Sequence, residues 1–318
     1  MKTRLLFLIL LLSTTLIFAQ APVVENVSFV QRTDGSLKVD IYYDLSDGDG
    51  ENKQIVVEAS SDNGATWTLN CASLTGDVGS GISPGTGKHV EWDFYTDNPN
   101  TSGSTYKVRV TALETGTVTD VDGNVYQTVK IGTQWWMAEN LKVTKYRTGE
   151  TIATNINDAD WAIINIGAYC VYGRDESNAD TYGYLYNWAA VSDSRNLAPT
   201  GWHVPTDAEL STLSTYLGGD SVAGGKLKST GTIEASTGLW DDPNTGATNE
   251  TGFSALPGGY RSYAEGYFYS LGSRARFWSA YEYSSNYALY LTLRYLNSDI
   301  YWNSSYKQYG FSVRCVKD

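Results

Sequence analysis

Twelve of the chain's 24 tyrosines fall between Tyr260 and Asp318, interleaved with Ser, Asn and Gly. Tyrosine beside small polar residues is the composition of contact surfaces. The ring is rigid and amphipathic, so ordering it costs little entropy, and Ser and Asn adapt their hydrogen bonds. Within Leu289–Leu296, strand alternation puts Leu289, Leu291 and Leu293 on one face and Tyr290, Thr292 and Arg294 on the other. The leucine face suits a core and the other face suits solvent. The residues expected to contact a ligand are Tyr290, Arg294, Asn297, Tyr301, Trp302, Asn303 and Tyr306. Their chemistry is non-covalent: stacking on apolar faces, with hydrogen bonds from Arg294, Asn297 and Asn303. The competing reading is that tyrosine merely fills half-buried sheet faces, as its β propensity allows.

Other chemistry finds less support. There is no Gly-x-Ser-x-Gly elbow, no His-Glu-x-x-His and no phosphate loop. Paired carboxylates could cleave glycosides, but nothing in the sequence selects two of the 35 acidic residues. The expectation is a non-enzymatic protein with no catalytic residue. Trp135-Trp136 and Trp202-His203 could stack on sugars, yet aromatics fixed between strands belong more often to a core. His203 has no second His or Cys beside it and reads as structural rather than metal-binding. Asp47-Gly48-Asp49-Gly50-Glu51 and Asp120-Val121-Asp122-Gly123-Asn124 are rich in oxygen ligands, but neither satisfies the EF-hand spacing, and Asp-Gly primarily makes turns. Asp241-Asp242-Pro243-Asn244 through Asn249-Glu250 is a third such loop, where calcium is an option. No cofactor is otherwise expected.

Charge and compartment narrow the partners. Lys and Arg number 23 against 35 Asp and Glu, a formal charge of −12, without a basic run. That argues against nucleic acid and against an anionic membrane surface. Met1–Ala19 reads as a secretory signal with Lys2 and Arg4, an apolar run from Leu5 to Leu12, and cleavage after Ala19. The run is shorter than a spanning helix needs, and no later segment could span a bilayer. The expected location is outside a bacterial cell or on its surface, with the periplasm as the other option. Cys71, Cys170 and Cys315 form no Cys-x-x-Cys, and their odd number leaves at least one without an intrachain partner.

Two textures divide the chain. Residues 20–114 carry short β-branched strands, such as Leu37–Tyr43 and Gln54–Ala59, between turn clusters such as Asp62-Asn63-Gly64. This rhythm predicts an all-β antiparallel sandwich, and with Ser60–Trp67 it resembles immunoglobulin or fibronectin type III-like modules. Leu113–Val118 reads as a linker. Residues 117–318 then predict an α+β domain with two short helices, short antiparallel strands and long loops. One helix is expected over Tyr184–Val191. A second is marked by the Thr206/Glu209 capping box, the stripe Leu210, Leu213 and Leu217, and a stop at Gly218-Gly219. Asp122-Gly123 is expected to turn a hairpin into Val125–Ile131, and strands are expected to resume at Phe277.

Three ordered motifs in this second region are specific: Val129–Leu141 (VKIGTQWWMAENL), Pro199–Glu209 (PTGWHVPTDAE), and Phe277-Trp278-Ser279-Ala280 followed by Tyr309–Asp318 (YGFSVRCVKD). Together they resemble the Fibrobacter succinogenes major paralogous domain family over about residues 117–318. The resemblance implies a C-type lectin-like fold, remotely similar to the formylglycine-generating fold, and little about activity. Where that family often carries a Cys before its Pro-x-Gly-Trp-His motif, this chain has Ala198, so either Cys315 pairs with Cys170 or the domain has no bridge. The Tyr- and Asn-rich stretch also resembles the variable region of retroelement-diversified lectin-fold proteins. The functional expectation is a secreted, adhesin-like binding protein for a glycan or cell-surface protein. A ligand-free envelope or matrix component is the alternative, and a formylglycine-generating-type enzyme is a third.

Overall fold

The computed structural model describes residues 21–48, 50–67 and 69–318. The expected signal, Met1–Ala19, and Asp49 of the first acidic loop lie outside the described residues. Strands predominate. The first seven are β1 (Val23–Gln31), β2 (Val39–Ser46), β3 (Lys53–Ser60), β4 (Leu74–Gly76), β5 (Gly79–Ile82), β6 (Gly85–Trp92) and β7 (Lys107–Leu113), with one helical turn, α1 (Phe94–Asp97), between β6 and β7. They make two antiparallel sheets, ordered β1-β2-β6-β4 and β5-β3-β7. Period-two alternation explains the arrangement. Val39, Ile41, Tyr43 and Leu45 of β2 meet Ile55, Val57 and Ala59 of β3 in one core, closed by Val90 and Trp92.

Only Glu114 separates β7 from β8 (Thr115–Thr119), so the expected linker is instead the start of a strand. β8 pairs with β9 (Val125–Ile131), which pairs with β10 (Gln134–Met137). The turn forms where the Asp-Gly pair implied. Asp120 Oδ1 accepts the N–H groups of Asp122 and Asn124, each at 2.9 Å. The two bodies abut at this junction. Arg109 of β7 bridges Glu58 (2.8 Å) and Glu250 (2.9 Å), Lys226 joins Glu250 at 3.1 Å, and Leu113 is buried in the second body's core. Beside these contacts lies a cleft of about 300 Å³, lined by Arg109, Glu114, Lys130, Tyr216 and Glu250 among others.

Short elements fill the middle of the second body: α2 (Asp158–Ile163), β11 (Tyr169–Cys170), α3 (Ser177–Tyr182), β12 (Leu185–Tyr186), α4 (Trp188–Val191), β13 (Trp202–His203), α5 (Asp207–Tyr216) and α6 (Asp220–Leu227). The helix expected over Tyr184–Val191 shrinks to the single turn α4. Tyr186 is drawn into pairing with Tyr169, its hydroxyl donates to the Val143 carbonyl, and Asn187 caps the turn by accepting the Ala190 N–H. α5 has its full capping box: Thr206 accepts from the Glu209 N–H, and Glu209 accepts from the Thr206 N–H at 2.9 Å. α6 follows without having been foreseen, since Gly224-Gly225 is poor helix sequence. Packing overrides propensity there. A Cβ at Gly225 would lie 2.3 Å from the Gly246 carbonyl oxygen, so only glycine lets helix and loop approach.

The chain closes with β14 (Gly258–Arg261), β15 (Phe268–Leu271), β16 (Arg274–Glu282), β17 (Tyr287–Arg294), β18 (Tyr301–Tyr306) and β19 (Val316–Lys317). β19 inserts between β13 and β10, giving the sheet order β13-β19-β10-β9-β8, while β16-β17-β18 is a separate antiparallel sheet. That sheet lies between two cores. Leu291 and Leu293 enter one with Phe277 and Trp240, while Tyr290 and Ala288 enter the other with Trp278 and Phe311. The expectation of a solvent face carrying Tyr290 and Thr292 is therefore corrected, because both faces of β17 are covered.

Candidate functional site

Six of the tyrosines from Tyr260 onward gather where hairpin β14–β15 and the Tyr306–Phe311 segment cover one end of the sheet. Tyr260 and Tyr269 are register partners, with ring centroids 5.7 Å apart. Tyr260 meets Tyr309 at 5.8 Å, Tyr309 meets Tyr263 at 5.0 Å, and Tyr263 stacks on Tyr306 at 4.2 Å. Tyr306 then meets Tyr287, its cross-strand partner, at 4.5 Å. The result is a run of rings in mutual contact, most of them half-buried and Tyr269 41% exposed. Rings held by one another lose little freedom on binding, and their edges and hydroxyls stay available to a ligand.

Arg276 lies under this run. Its guanidinium carbon is 3.8 Å from the Tyr260 ring centroid, with Phe311 at 5.2 Å and Tyr290 at 5.5 Å. The residue is only 8% exposed, its Nε is sealed from solvent without a hydrogen bond, and burial lowers its pKa from the ordinary arginine value. Arg274, two residues back on the same face, is the register partner of Arg294. Arg294 stacks on Tyr301 at 3.9 Å, and its Nε is likewise sealed without a hydrogen bond.

The sequence-expected site residues divide into two groups. Tyr306 belongs to the aromatic run, Arg294 lies at the arginine cluster, and Asn303 is exposed opposite Tyr290. Tyr290 is 8% exposed and forms the wall beneath Arg276 rather than a surface contact. Asn297, Tyr301 and Trp302 are taken up by the fold. Asn297 Nδ2 donates to the Tyr301 hydroxyl at 2.6 Å, that hydroxyl donates to Asp299, and Trp302 Nε1 donates to Asp220 Oδ2 at 2.8 Å. They fix the β17–β18 loop against α6. Sequence reasoning missed Tyr260, Tyr263, Tyr269, Tyr287, Tyr309 and Arg276 as site residues. The signal was present in the tyrosine density from Tyr260 onward, but their convergence depends on a hairpin that the sequence reading did not place.

Elsewhere, titratable groups serve the fold. His203 sits between Asp318 (Nδ1, 2.7 Å) and Glu209 (Nε2, 2.9 Å), tying the capping box to β19. Trp136 and Trp202 are buried in cores. Cys71, Cys170 and Cys315 are free thiols, with Cys170 and Cys315 in different apolar clusters, so no Cys170–Cys315 bridge forms. Burial pushes the Cys170 thiol up to about 12 and the Cys315 thiol higher still. The oxygen-rich loops spend much of their polar capacity internally. Asp120 accepts from its own turn and from the Tyr126 hydroxyl, Asp122 accepts from the Thr144 N–H, and Asn244 donates to the Ser229 and Gly231 carbonyls. Among the described residues, no group of three or more His, Cys, Asp or Glu side chains converges as a metal site, and no helix is long and apolar enough to cross a membrane.

The family model described as the Fibrobacter succinogenes major domain matches residues 129–317, which contain both the aromatic run and the arginine cluster. No curated protein and no solved structure matches the chain.

Proposed function

Because the chain belongs to the Fibrobacter succinogenes major domain family, whose description names no chemistry, we propose its function from the aromatic face itself. The protein is a secreted or surface-located, non-enzymatic, adhesin-like binding protein. Its second body, read as C-type lectin-like, presents the tyrosine run to a glycan or a cell-surface protein, and its first body is an immunoglobulin-like spacer. The observation that carries this reading is the contiguous run Tyr269–Tyr260–Tyr309–Tyr263–Tyr306–Tyr287, partly open to solvent. Ring faces and edges stack on the apolar sides of sugars, and the hydroxyls supply hydrogen bonds. A structural role in an envelope or matrix is the second reading. It draws on edge strand β1, where Val27, Phe29 and Val30 are exposed and one side of the backbone has no sheet partner among the described residues.

The test is a glycan array and polysaccharide pull-down with the mature chain, alongside Tyr263→Ala and Tyr309→Ala. Binding that weakens about tenfold or more in either folded variant is the expected result, since a stacking aromatic contributes about 1–3 kcal/mol by truncation. No glycan or protein ligand, together with concentration-dependent self-association that a Phe29→Lys change abolishes, would replace this reading with the structural one.

A further inference from the structure

We propose that Arg276 seats an oxyanion of the ligand, so that the tyrosine face selects acidic glycans over neutral ones. The inference rests on the reading of that face as a glycan-binding surface.

The chain's other buried cations are paired with oxygen atoms. Lys53 pairs with Asp47 at 2.8 Å. Lys228 donates to the carbonyls of Thr245, Arg294 and Asn297 at 2.9–3.0 Å. Arg261 reaches Gly266, Ile156 and Asp158. Arg314 is held by Asn140 and by the carbonyls of Phe253 and Ser254. Each cation has oxygen atoms in place of the water it lost. Arg276 has none: among the described residues it makes no ion pair and no hydrogen bond from its guanidinium. The rings around it attract the charge through their faces, but they leave its N–H donors without acceptors.

Arg274 and Arg294 sharpen the case. They face each other across β16 and β17 on the same side as Arg276, and among the described residues neither forms an ion pair. Although the chain has 35 acidic residues, these three neighbouring guanidiniums have no carboxylate partner among the described residues. A planar guanidinium fork matches two oxygens of a carboxylate or sulfate, and such bidentate, charge-assisted bonds are stronger than those to a neutral hydroxyl. The adjacent rings suit the apolar faces of a saccharide carrying that group. A uronate carboxylate and a sulfate ester share the required chemistry.

The experiment is biolayer interferometry of the mature chain on polygalacturonate, its fully methyl-esterified form, dextran sulfate, neutral dextran and poly-glutamate. Each surface is read with wild type, Arg276→Gln, Arg276→Lys and Tyr263→Ala. The expected result is binding to polygalacturonate or dextran sulfate, with the matched neutral polymer at least about tenfold weaker. Whichever surface binds identifies carboxylate or sulfate as the source. Arg276→Gln removes the acid-over-neutral preference, while Arg276→Lys keeps part of it. Equal binding to acidic and neutral polymers overturns the anion site but leaves the tyrosine reading intact. So does a preference retained in a folded Arg276→Gln protein. Binding to poly-glutamate alone overturns the glycan class. Binding to no polymer, or neutral binding untouched by Tyr263→Ala, overturns the tyrosine reading and this proposal with it. The wild-type comparison of acid with ester needs no variant, so equal binding overturns the anion site even if Arg276→Gln misfolds, and Arg276→Lys then tests the residue.

Discussion

His203 lies between Glu209 and Asp318, and its pKa responds to opposing influences. Burial lowers it, but hydrogen bonds to the Asp318 and Glu209 carboxylates outweigh burial and leave it above the ordinary value of 6.5. A histidine whose folded pKa exceeds its unfolded value stabilises fully below the unfolded pKa, and that contribution fades as pH rises through the folded one. The melting temperature of wild type relative to His203→Gln is therefore expected to rise as pH falls from 8 to about 6. A pH-independent difference would mean that His203 stays neutral and donates to only one of the two carboxylates. The identity of the two partners was not legible in sequence. Glu209 is six residues away, but Asp318 arrives only through the pairing of β13 with β19.

At the scale of elements, local chemistry was readable and tertiary chemistry was not. The capping box of α5 is written in four consecutive residues, Thr206 to Glu209, and it forms as read. Thr206→Ala should cost about 1 kcal/mol, measured by chemical denaturation with an unchanged m-value. An effect below a few tenths would show that tertiary contacts hold the helix start without the cap. β17 is the opposite case. Its Leu/Tyr alternation announces two faces but cannot tell a tyrosine exposed to solvent from one packed under other aromatics, because Tyr suits both settings. Tyr290 was misplaced for that reason: Trp278 and Phe311 pack against its ring, and Arg276 lies beside it. α6 escaped notice because Gly224 and Gly225 oppose helix propensity, and the loop backbones that demand them are about 20 to 75 residues further along the chain.

The whole molecule is two bodies joined without a spacer. Their junction combines two kinds of contact whose strengths differ. Glu250 accepts from Arg109 and Lys226, and these pairs retain partial solvent access. Leu113 is buried beside Val129 and Phe253 in the second core. Partly exposed ion pairs contribute about 1 kcal/mol or less, whereas truncating a buried leucine costs about 2–5 kcal/mol. Calorimetry should therefore show Leu113→Ala lowering the melting temperature well beyond Glu250→Ala. Equal effects would make the charged clasp the main tie. The two textures of the sequence, strand-rich then Trp- and Tyr-rich, change close to where β7 passes into β8. The abrupt junction was not foreseen, since Glu-Thr-Gly-Thr has the composition of a loop and becomes the start of β8 only because β9 offers it a pairing edge.

The unbridged thiols give this architecture an internal clock. Cys170 and Cys315 are sealed in different apolar clusters, and each is held in its unreactive protonated form. An alkylating reagent can reach either one only during the intervals when its surroundings come apart. Pulse labelling followed by peptide mass analysis would thus time the breathing of each cluster separately, in the unmodified protein and without an added dye. The cysteine tagged first marks the cluster that opens first.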